Sequence, residues 1–389
     1  MKLIKLKDIV ALFFLCMNCV LSFSIASTFE LTPSERMVGY NIVVYSRAQD
    51  TLLDIGRQFN IGYTEMVNAN PGIDVWLPGD KQPITIPNRF ILPDAPQEGI
   101  VVNLAEMRLF YYPETPVGKK KQVITYPIGI GREGWETPLG KTKIIQKRKD
   151  PTWTPPASIK AEHLENGDPL PDIVPAGPDN PLGAYALRLG KTSYLLHGTN
   201  RPYGVGLRVS HGCLRLYPED IEALYNKVAV NIPVNIIYQP YKAAQYQGRL
   251  YIEAHQTYQD LYNEQYLMQP MVEAILNTQK VISDDEWLYA QAMLENPLGV
   301  VQQSGELQQP IIDRLWFVHT GLAAVDQQRI HQVLDDLGYS DALTMSKDAI
   351  NGPLIGPFDS YQEAESIAIS LDTRTPFSAW VVQLPDDIL

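Results

Sequence analysis

Short runs of β-branched and aromatic residues, separated by proline and glycine, fill the middle of this chain between residues 98 and 239. Such runs predict β-strands when proline and glycine bound them, because these two residues favour turns and weaken strands. Helical periodicity is found mainly at 218–228, where apolar residues share one face. We therefore predict a predominantly β domain with one helix near its end. The predicted strands are 99–104, 108–112, 122–130, 141–146, 185–189, 193–197 and 234–238.

A glycine pattern inside this region imitates a nucleotide-binding turn. Gly129, Gly131 and Gly134 have the spacing of a dinucleotide-binding loop and follow a predicted strand. Such a loop binds a pyrophosphate only where a helix begins at it. Pro138 and Gly140 exclude a helix here, because proline and glycine both disfavour helical backbone. We therefore predict a β-loop and a turn into the next strand, without a nucleotide site.

Cys213 is the one cysteine that we expect in the mature chain. The other two, Cys16 and Cys19, lie within residues 1–26, which have the lysines, apolar core and small residues of a secretory signal peptide. A retained membrane anchor is the alternative, although the apolar stretch is shorter than the about 20 residues of a spanning helix. Either interpretation exports the remainder of the chain. Cleavage leaves Cys213 unpaired in an oxidising compartment, where structural cysteines normally form pairs.

The composition limits the number of domains and excludes one class of partner. A chain of 389 residues with 45% hydrophobic residues is long enough for two or three domains with real cores. Its formal net charge is -12 at pH 7. A chain of this charge lacks the positive field that attracts nucleic acid, so we predict no nucleic-acid partner.

The residues around the lone cysteine indicate nucleophilic catalysis. His197 ends an apolar run upstream of the segment Ser210-His211-Gly212-Cys213. A free thiol has a pKa of about 8.5, so near neutral pH it needs a base to become a nucleophilic thiolate. His197 is the candidate base, and Gly212 permits a tight turn that directs successive backbone amides at a developing oxyanion. The alternatives are an inert buried thiol and a histidine with an ordinary structural role.

Two further residues of this segment keep more than one interpretation. His211 either transfers protons or shapes the pocket and binds substrate. With the cysteine and the other histidine it would also supply three ligands of a zinc site, but no fourth ligand is near in the sequence. Arg215 pairs either with a carboxylate of the substrate or with Glu219 or Asp220.

Residues 41–88 form a smaller unit with a different pattern. A strand, two short helices and a closing strand follow one another, with Asp50 as the predicted cap of the first helix. This βααβ unit resembles a LysM module. The resemblance implies that it binds glycans containing N-acetylglucosamine; a spacer without a ligand is the alternative. The matching residues are Asp50-Thr51-Leu52, Asn70-Pro71, Leu77-Pro78-Gly79 and 84–87.

The segment around Cys213 carries a second resemblance. The spacing from His197 to the cysteine motif, with Gly129, Gly131 and residues 137–140 upstream, resembles the YkuD-type L,D-transpeptidase domain over 98–239. The resemblance implies a β-sandwich that uses no metal or cofactor. One version of the family motif has asparagine two places after the cysteine; this chain has arginine, a form that also occurs in the family.

The same resemblance implies a role for each residue of the site. Cys213 is the nucleophile and His197 the base, with a backbone carbonyl near Gly198 to orient the imidazole. Backbone amides at His211, Gly212 and Cys213 would stabilise the oxyanion. Ser210 completes the pocket, and Arg215 contacts the substrate.

The resemblance also implies the reaction. Similar enzymes attack the carbonyl that links the L-centre of diaminopimelate to D-alanine in a peptidoglycan tetrapeptide stem, expel D-alanine and hold a thioester. The acceptor is an amine of another stem, a lysine of an outer-membrane lipoprotein, or water, which would make an L,D-carboxypeptidase. A non-catalytic wall-binding protein is the alternative class. With export, these inferences predict a periplasmic protein.

The last part of the chain predicts two more segments of a multidomain α+β protein. Residues 240–310 are rich in tyrosine and glutamine and predict a helical extension or linker. Residues 312–386 predict the order βαββαβ, with Ser360 and Glu363 as a capping box for the second helix. Gly356-Pro357-Phe358 resembles part of a SPOR domain, which implies binding of peptide-stripped glycan. A plain α+β appendage is the alternative.

Overall fold

The computed structural model describes residues 27–32, 35–190, 193–258, 268–304, 315–321, 327–340, 342–347 and 350–384. The predicted signal peptide at 1–26 lies outside these ranges, as does the first part of the helical segment predicted after residue 260. Within the described ranges, no helix combines the length and the hydropathy that a membrane-spanning segment requires.

The elements are numbered in chain order. The strands are β1 (Ser27–Leu31), β2 (Met37–Gly39), β3 (Ile42–Tyr45), β4 (Pro83–Ile86), β5 (Arg89–Ile91), β6 (Gly99–Asn103), β7 (Arg108–Tyr112), β8 (Lys121–Pro127), β9 (Ile130–Gly131), β10 (Gly140–Lys149), β11 (Tyr185–Leu189), β12 (Leu195–His197), β13 (Arg208–Ser210), β14 (Leu214–Arg215), β15 (Pro233–Ile237), β16 (Tyr241–Tyr246), β17 (Arg249–Ala254), β18 (Gln302–Gln303), β19 (Trp316–His319), β20 (Leu343–Lys347), β21 (Ile350–Phe358) and β22 (Trp380–Gln383). The helices are α1 (Leu52–Gln58), α2 (Tyr63–Ala69), α3 (Ala157–Glu165), α4 (Pro218–Lys227), α5 (Met268–Leu276), α6 (Asp284–Glu295), α7 (Gln327–Asp336) and α8 (Tyr361–Arg374), with a 3₁₀ turn at Pro202–Gly204.

A large mixed sheet forms the centre of the molecule. Among the described residues it contains nine strands, in the order β1-β8-β7-β6-β15-β10-β11-β12-β14. The side chains between this sheet and α4 form a continuous apolar core. The predicted largely β character of 98–239 is therefore confirmed. Strand β1, which pairs antiparallel with β8, was not predicted. Helix α3, which lies in the long connection between β10 and β11, was not predicted either.

The glycine-rich loop has the structure that its prolines and glycines predict. No helix begins at Gly129, Gly131 or Gly134 in this described segment; β9 forms there and pairs in parallel with β13. A Cβ at Gly131 would lie 2.0 Å from the carbonyl oxygen of Trp135 and 3.0 Å from the Cα of Gly212. Glycine thus lets this loop pack directly against the turn that carries the cysteine.

The unit at 41–88 has the predicted βααβ order, formed by β3, α1, α2 and β4. The predicted cap of α1 was wrong by one residue. Thr51 caps the helix: its Oγ1 accepts from the amide of Asp54 at 3.0 Å, and the Asp54 carboxylate accepts from the amide of Thr51. Asp50 instead accepts hydrogen bonds from Arg47 and from the indole nitrogen of Trp380, at 3.0 Å for the indole.

The C-terminal segment has the predicted order βαββαβ, formed by β19, α7, β20, β21, α8 and β22. Ser360 caps α8, because its Oγ accepts from the amide of Glu363 at 3.2 Å. The Glu363 carboxylate accepts from the amide of Asp359, at 3.1 Å. We predicted a reciprocal capping box, and the structure forms the serine half of it.

The units at 41–88 and 312–386 share one sheet. Strand β22 pairs antiparallel with β3, which in the described chain gives a sheet of six strands in the order β20-β21-β19-β22-β3-β4. Side chains reinforce the junction: Arg47 forms an ion pair with Asp372 at 2.8 Å, and Lys81 with Glu365 at 2.5 Å. The two units were predicted as separate domains, and the pairing of β22 with β3 was not predicted.

Residues 240–310 contain more than the predicted helical extension. In the described part of this segment, β16, β17 and β18 form an antiparallel sheet, and α5 and α6 pack on it through their apolar faces. Strand β16 has the sequence Tyr-Lys-Ala-Ala-Gln-Tyr, and its first four residues are all buried, including the charged Lys242, so residue polarity does not reveal its buried face. The hairpin was missed for that reason.

Buried charges connect the β16–β17 hairpin with β5 and with the central sheet. Lys242 Nζ donates to Glu106 Oε2 at 2.7 Å, to Glu253 Oε1 at 2.8 Å and to the carbonyl oxygen of Ile91 at 2.7 Å. Glu106, Glu253 and His255 are spaced closely enough to share a metal ion, and the lysine ammonium supplies a positive charge to both carboxylates. This cluster holds the hairpin against β5 and the central sheet.

Candidate active site

Two short parallel strands at the edge of the central sheet position the cysteine and the histidine. Strands β12 and β14 pair with Leu196 opposite Leu214 and His197 opposite Arg215. Leu196 and Leu214 are fully buried in the core. Because successive side chains alternate across a sheet, His197 and Arg215 project from the opposite face.

Cys213 immediately precedes β14 and lies diagonally across from His197. The register that places Leu214 opposite Leu196 places Cys213 opposite Leu195, two positions before the histidine. Among the described residues the cysteine has no disulfide partner, and it is half-buried. The structure thus brings the two predicted catalytic residues together on neighbouring strands, with the thiol outside the apolar core.

The tautomer of His197 follows from its hydrogen bond. Nδ1 lies 2.6 Å from the carbonyl oxygen of Gly198, which can only accept a hydrogen bond. The ring proton is therefore on Nδ1, and Nε2 keeps a lone pair that can take a proton. The Gly198 carbonyl lies where the orienting carbonyl was predicted, next to the histidine.

The surroundings keep the cysteine and the histidine uncharged at rest. Burial lowers the pKa of His197 to about 4, and the positive charge of Arg215 acts in the same direction. Burial also raises the pKa of the Cys213 thiol, opposed in part by a hydrogen bond from the Leu195 backbone and by Arg215. Both shifts favour a neutral thiol beside a neutral imidazole over an ion pair.

The turn before the cysteine requires glycine. Gly212 has φ +92°, and a Cβ at this position would lie 2.5 Å from Cε1 of Tyr194. Thr137 Oγ1 donates to the Gly212 carbonyl oxygen at 2.9 Å, and Ser210 Oγ donates to the Cys213 carbonyl oxygen at 2.6 Å. Side chains on both sides therefore fix the backbone that presents the thiol.

One of the three amides predicted for the oxyanion site is already engaged. The Gly212 amide donates to Ser210 Oγ at 3.2 Å. This contact directs the Gly212 N–H at the serine. In this arrangement the Gly212 amide therefore does not have the predicted role of an oxyanion donor. The amides of His211 and Cys213 stay as the predicted donors.

His211 contacts a carboxylate from helix α3. Its Nε2 lies 2.9 Å from Glu162 Oε2 and 3.2 Å from Nη2 of Arg132, and its ring packs edge-on against Trp135 at 4.7 Å between centroids. Arg132 Nη2 also donates to Glu162, at 2.5 and 2.6 Å. Because Nε2 faces an acceptor on Glu162, this geometry favours the pocket-shaping interpretation of His211.

The alternative partners of Arg215 are excluded. Glu219 accepts two hydrogen bonds from Arg57, both at 2.7 Å. Both carboxylate oxygens of Asp220 are buried without a hydrogen-bond partner among the described residues. The interpretation that Arg215 pairs with either residue was therefore wrong.

Arg215 is poised for an external anion. In the described ranges no carboxylate lies within ion-pair distance of it, and its Nε is buried without an acceptor. Burial lowers its pKa, and the charge of the nearby Arg201 lowers it further. Arg215, which flanks the thiol, and the neighbouring Arg201 are two cations to which a carboxylate would add favourable charge.

Sequence reasoning missed Arg201, Arg132, Trp135 and Glu162. Arg132 and Trp135 lie in the glycine-rich loop that contacts the cysteine turn, so their proximity could have been inferred from that loop. Glu162 lies on helix α3, which was not predicted, and Arg201 lies in an irregular connection, so no short-range pattern links either residue to Cys213. Only the folded chain brings them to the site.

The chain resembles known proteins over the region that contains this site. The family model of the YkuD L,D-transpeptidase catalytic domain matches residues 97–236. The Escherichia coli K12 protein named probable L,D-transpeptidase YbiS is 47% identical over 235 residues, which cover 59% of this chain and 75% of that protein. Probable L,D-transpeptidase ErfK/SrfK of Salmonella typhimurium LT2 is 41% identical over 239 residues, covering 60% of this chain and 76% of that protein.

A solved structure also matches part of the chain. The catalytic domain of an L,D-transpeptidase from E. faecium, solved by NMR, is 22% identical and covers 37% of this chain and 100% of that domain, with a TM-score of 0.27.

Proposed function

Because this chain belongs to the YkuD family of L,D-transpeptidases, we propose that it is a cysteine-dependent acyltransferase that acts on peptidoglycan stems. The observation that carries the proposal is the placement of Cys213 diagonally across from a histidine whose Nε2 is left free by the Gly198 carbonyl. A thiol nucleophile needs an oriented base on its side of the sheet, and this arrangement supports that role for His197.

The first half of the reaction forms a thioester. His197 Nε2 takes the proton of the Cys213 thiol as the sulfur attacks the carbonyl between the L-centre of diaminopimelate and D-alanine. The C–N bond then breaks, and the imidazolium returns the proton to the departing amine of D-alanine. A neutral imidazole is needed for the first transfer, which agrees with the lowered pKa of His197.

The second half transfers the acyl group. An amine attacks the thioester, His197 takes a proton from it, and the sulfur leaves and is reprotonated. The amine belongs to a second stem, giving a 3→3 crosslink, or to a lysine of an outer-membrane lipoprotein. Attack by water would release a tripeptide and make the enzyme an L,D-carboxypeptidase.

Backbone donors and arginines stabilise the charges that develop. The amides of His211 and Cys213 are the proposed oxyanion donors, and each such donor typically contributes about 10² to 10³ in rate. The donor stem carries carboxylates at D-alanine and at diaminopimelate. Arg215 and Arg201 are the cations available for them, since Arg215 has no carboxylate partner among the described residues.

The remaining units are proposed to hold the enzyme on its substrate in the periplasm. The LysM-like unit at 41–88 would bind glycan, and the SPOR-like unit at 312–386 would add contacts to glycan strands. Tethering of this kind raises the local concentration of stems at a weakly binding catalytic site.

The test is release of D-alanine from purified tetrapeptide muropeptides. We expect the wild type to release D-alanine and Cys213→Ala to abolish release, with Val281→Ala as a surface control because that side chain is 94% exposed. Unchanged release by Cys213→Ala would refute the mechanism. Profiling muropeptides of a strain with and without the protein then identifies the acceptor, because crosslinks, lipoprotein-bound stems and tripeptides are separate products.

A further inference from the structure

The loop of the catalytic region that contains Val205 and Gly206 is fixed against the LysM-like unit. The amide of Tyr63, at the start of α2, donates to the carbonyl oxygen of Val205 at 3.0 Å. Thr64 donates to the Gly206 carbonyl oxygen through its amide at 3.2 Å and its hydroxyl at 2.6 Å. Gly206 has φ +83°, and a Cβ there would lie 2.3 Å from the Tyr63 nitrogen. The loop therefore cannot shift relative to α2 without breaking these contacts.

The same loop reaches the active site. The amide of Gly206 donates to the carbonyl oxygen of Ile128 at 3.2 Å, and the amide of Ile130 donates to the carbonyl oxygen of Leu207 at 2.9 Å. Gly204 lies so close to Arg215 that a Cβ would be 2.7 Å from Nη1. Tyr203, the residue before Gly204, is thus held next to the arginine that flanks the thiol.

Tyr203 and Trp76 form an exposed aromatic pair across this junction. Their ring centroids are 5.9 Å apart, with the planes at 71°. Tyr203 is 52% exposed, Trp76 is 56% exposed and the adjoining Leu77 is 78% exposed. The ring contact joins exposed apolar side chains from two different parts of the chain, and contiguous exposed apolar surface is a feature of binding sites.

The backbone beneath the tryptophan is preorganised. Asp74 Oδ1 accepts from the amides of Trp76 at 2.8 Å and Leu77 at 2.9 Å, and the carbonyl oxygen of Val75 accepts from Leu52 at 2.9 Å. Because these contacts already order the loop, a ligand that packs on the indole does not have to fix it first.

We propose that Trp76 and Tyr203 together bind a sugar ring of the glycan strand, so that a stem on the same strand enters the Cys213 site. This inference rests on the proposed function, which supplies a substrate made of neutral N-acetylated sugars. The apolar faces of a pyranose ring pack on aromatic rings, and its hydroxyl groups stay in water at the edges. Tyr203 makes the catalytic region itself a part of the saccharide site and sets its distance from the thiol.

The first experiment measures binding of the N-acetylglucosamine hexamer to the full chain by calorimetry. We expect about tenfold weaker binding for Trp76→Ala and for Tyr203→Ala, and near wild-type binding for Tyr203→Phe, which keeps the ring. Leu288→Ala, at a side chain that is 64% exposed on α6, is the control and should not change binding. Binding of the hexamer that is the same for Tyr203→Ala as for the wild type would overturn the proposal.

The second experiment compares D-alanine release from a free tetrapeptide and from the same stem on a glycan strand. Tyr203→Ala should lower kcat/KM about tenfold more for the glycan-linked donor than for the free tetrapeptide. An equal loss on both donors, as a peptide contact or a docking site for a protein acceptor would produce, contradicts the proposal. If the wild type releases D-alanine from neither donor, the proposed function fails, while the hexamer titration still tests the saccharide site.

Discussion

At the scale of single residues, the chemistry depends on two groups that are both neutral at rest. The hydrogen bond from His197 Nδ1 to the Gly198 carbonyl oxygen leaves Nε2 available, and burial lowers the pKa of the imidazole to about 4. Burial also raises the pKa of the Cys213 thiol. The thiolate therefore forms as the proton moves to His197 during attack, with the Leu195 amide and Arg215 to stabilise it.

This arrangement predicts the acid limb of the pH profile. His197 must be unprotonated to act as the base, and its pKa is lowered to about 4 from the ordinary histidine value of 6.5. We therefore expect kcat/KM for D-alanine release to stay constant as the pH falls through 6.5 and to decline only near pH 4. Steady-state rates measured over this range check the prediction; an acid limb centred near pH 6.5 would contradict it.

The residues of the site differ in how far sequence could predict them. Cys213, His197 and the Gly198 carbonyl were predictable, because an unpaired cysteine and a histidine beside a glycine carry their chemistry in the local sequence. The engagement of the Gly212 amide by Ser210 Oγ was also within reach, since the serine is only two residues away. The partner of His211 was not, because no local pattern connects it to Glu162.

At the scale of elements, helix α3 is attached to the site by a small polar cluster. Ile159 is its one buried residue, so apolar packing contributes little to holding the helix. Glu162 receives hydrogen bonds from His211 and Arg132, and these bonds lower the pKa of its carboxyl. This cluster is complete above the ordinary pKa of a glutamate and is lost only as the pH falls through the lowered pKa.

The cluster predicts a local effect for Glu162→Gln. The amide keeps the size of the side chain but removes the charge, so we expect faster hydrogen exchange in α3 with little change in Tm. Hydrogen exchange followed by mass spectrometry, with Glu165→Gln at the end of the same helix as the control, measures this effect. Unaltered exchange in α3 would show that other contacts hold the helix.

The elements that sequence missed share a physical cause. In strand β16 the polarity of Lys242 does not reveal its position, because the side chain is buried by pairing with Glu106 and Glu253. Strand β1 is short and lies at a sheet edge, and β22 finds its partner β3 far away in the sequence. Hydrophobic period indicates that a strand exists, whereas the choice of neighbouring strand depends on tertiary packing.

At the scale of the whole molecule, a buried ion pair joins the unit at 41–88 to the central sheet. Arg108, which is fully buried, donates to both carboxylate oxygens of Glu65 on α2, at 2.9 and 2.8 Å. The same guanidinium donates to Thr125 Oγ1 and to the Asn60 carbonyl oxygen. With the contacts of Tyr63 and Thr64 to Val205 and Gly206, this buried side chain sets the orientation of the unit relative to Tyr203 and the thiol.

We expect that replacing Arg108 causes a large loss of stability. Arg108→Met leaves the Glu65 charge buried without its partner, and such changes cost about 3–5 kcal/mol. The double variant Arg108→Met with Glu65→Gln has no unpaired charge and should recover part of that loss. Urea unfolding of both variants measures the difference. A single variant as stable as the wild type would show that the pair does not hold the units together.

The most direct measurement of the central claim is the mass of the acyl-enzyme. Mixing the protein with a tetrapeptide donor and quenching in acid should trap a thioester, and peptide mapping should place the added tripeptide on Cys213. His197→Ala should slow its formation by at least about 10²-fold, because the thiol then loses its base. Release of D-alanine without an adduct at Cys213, or with the adduct on another residue, would contradict the account.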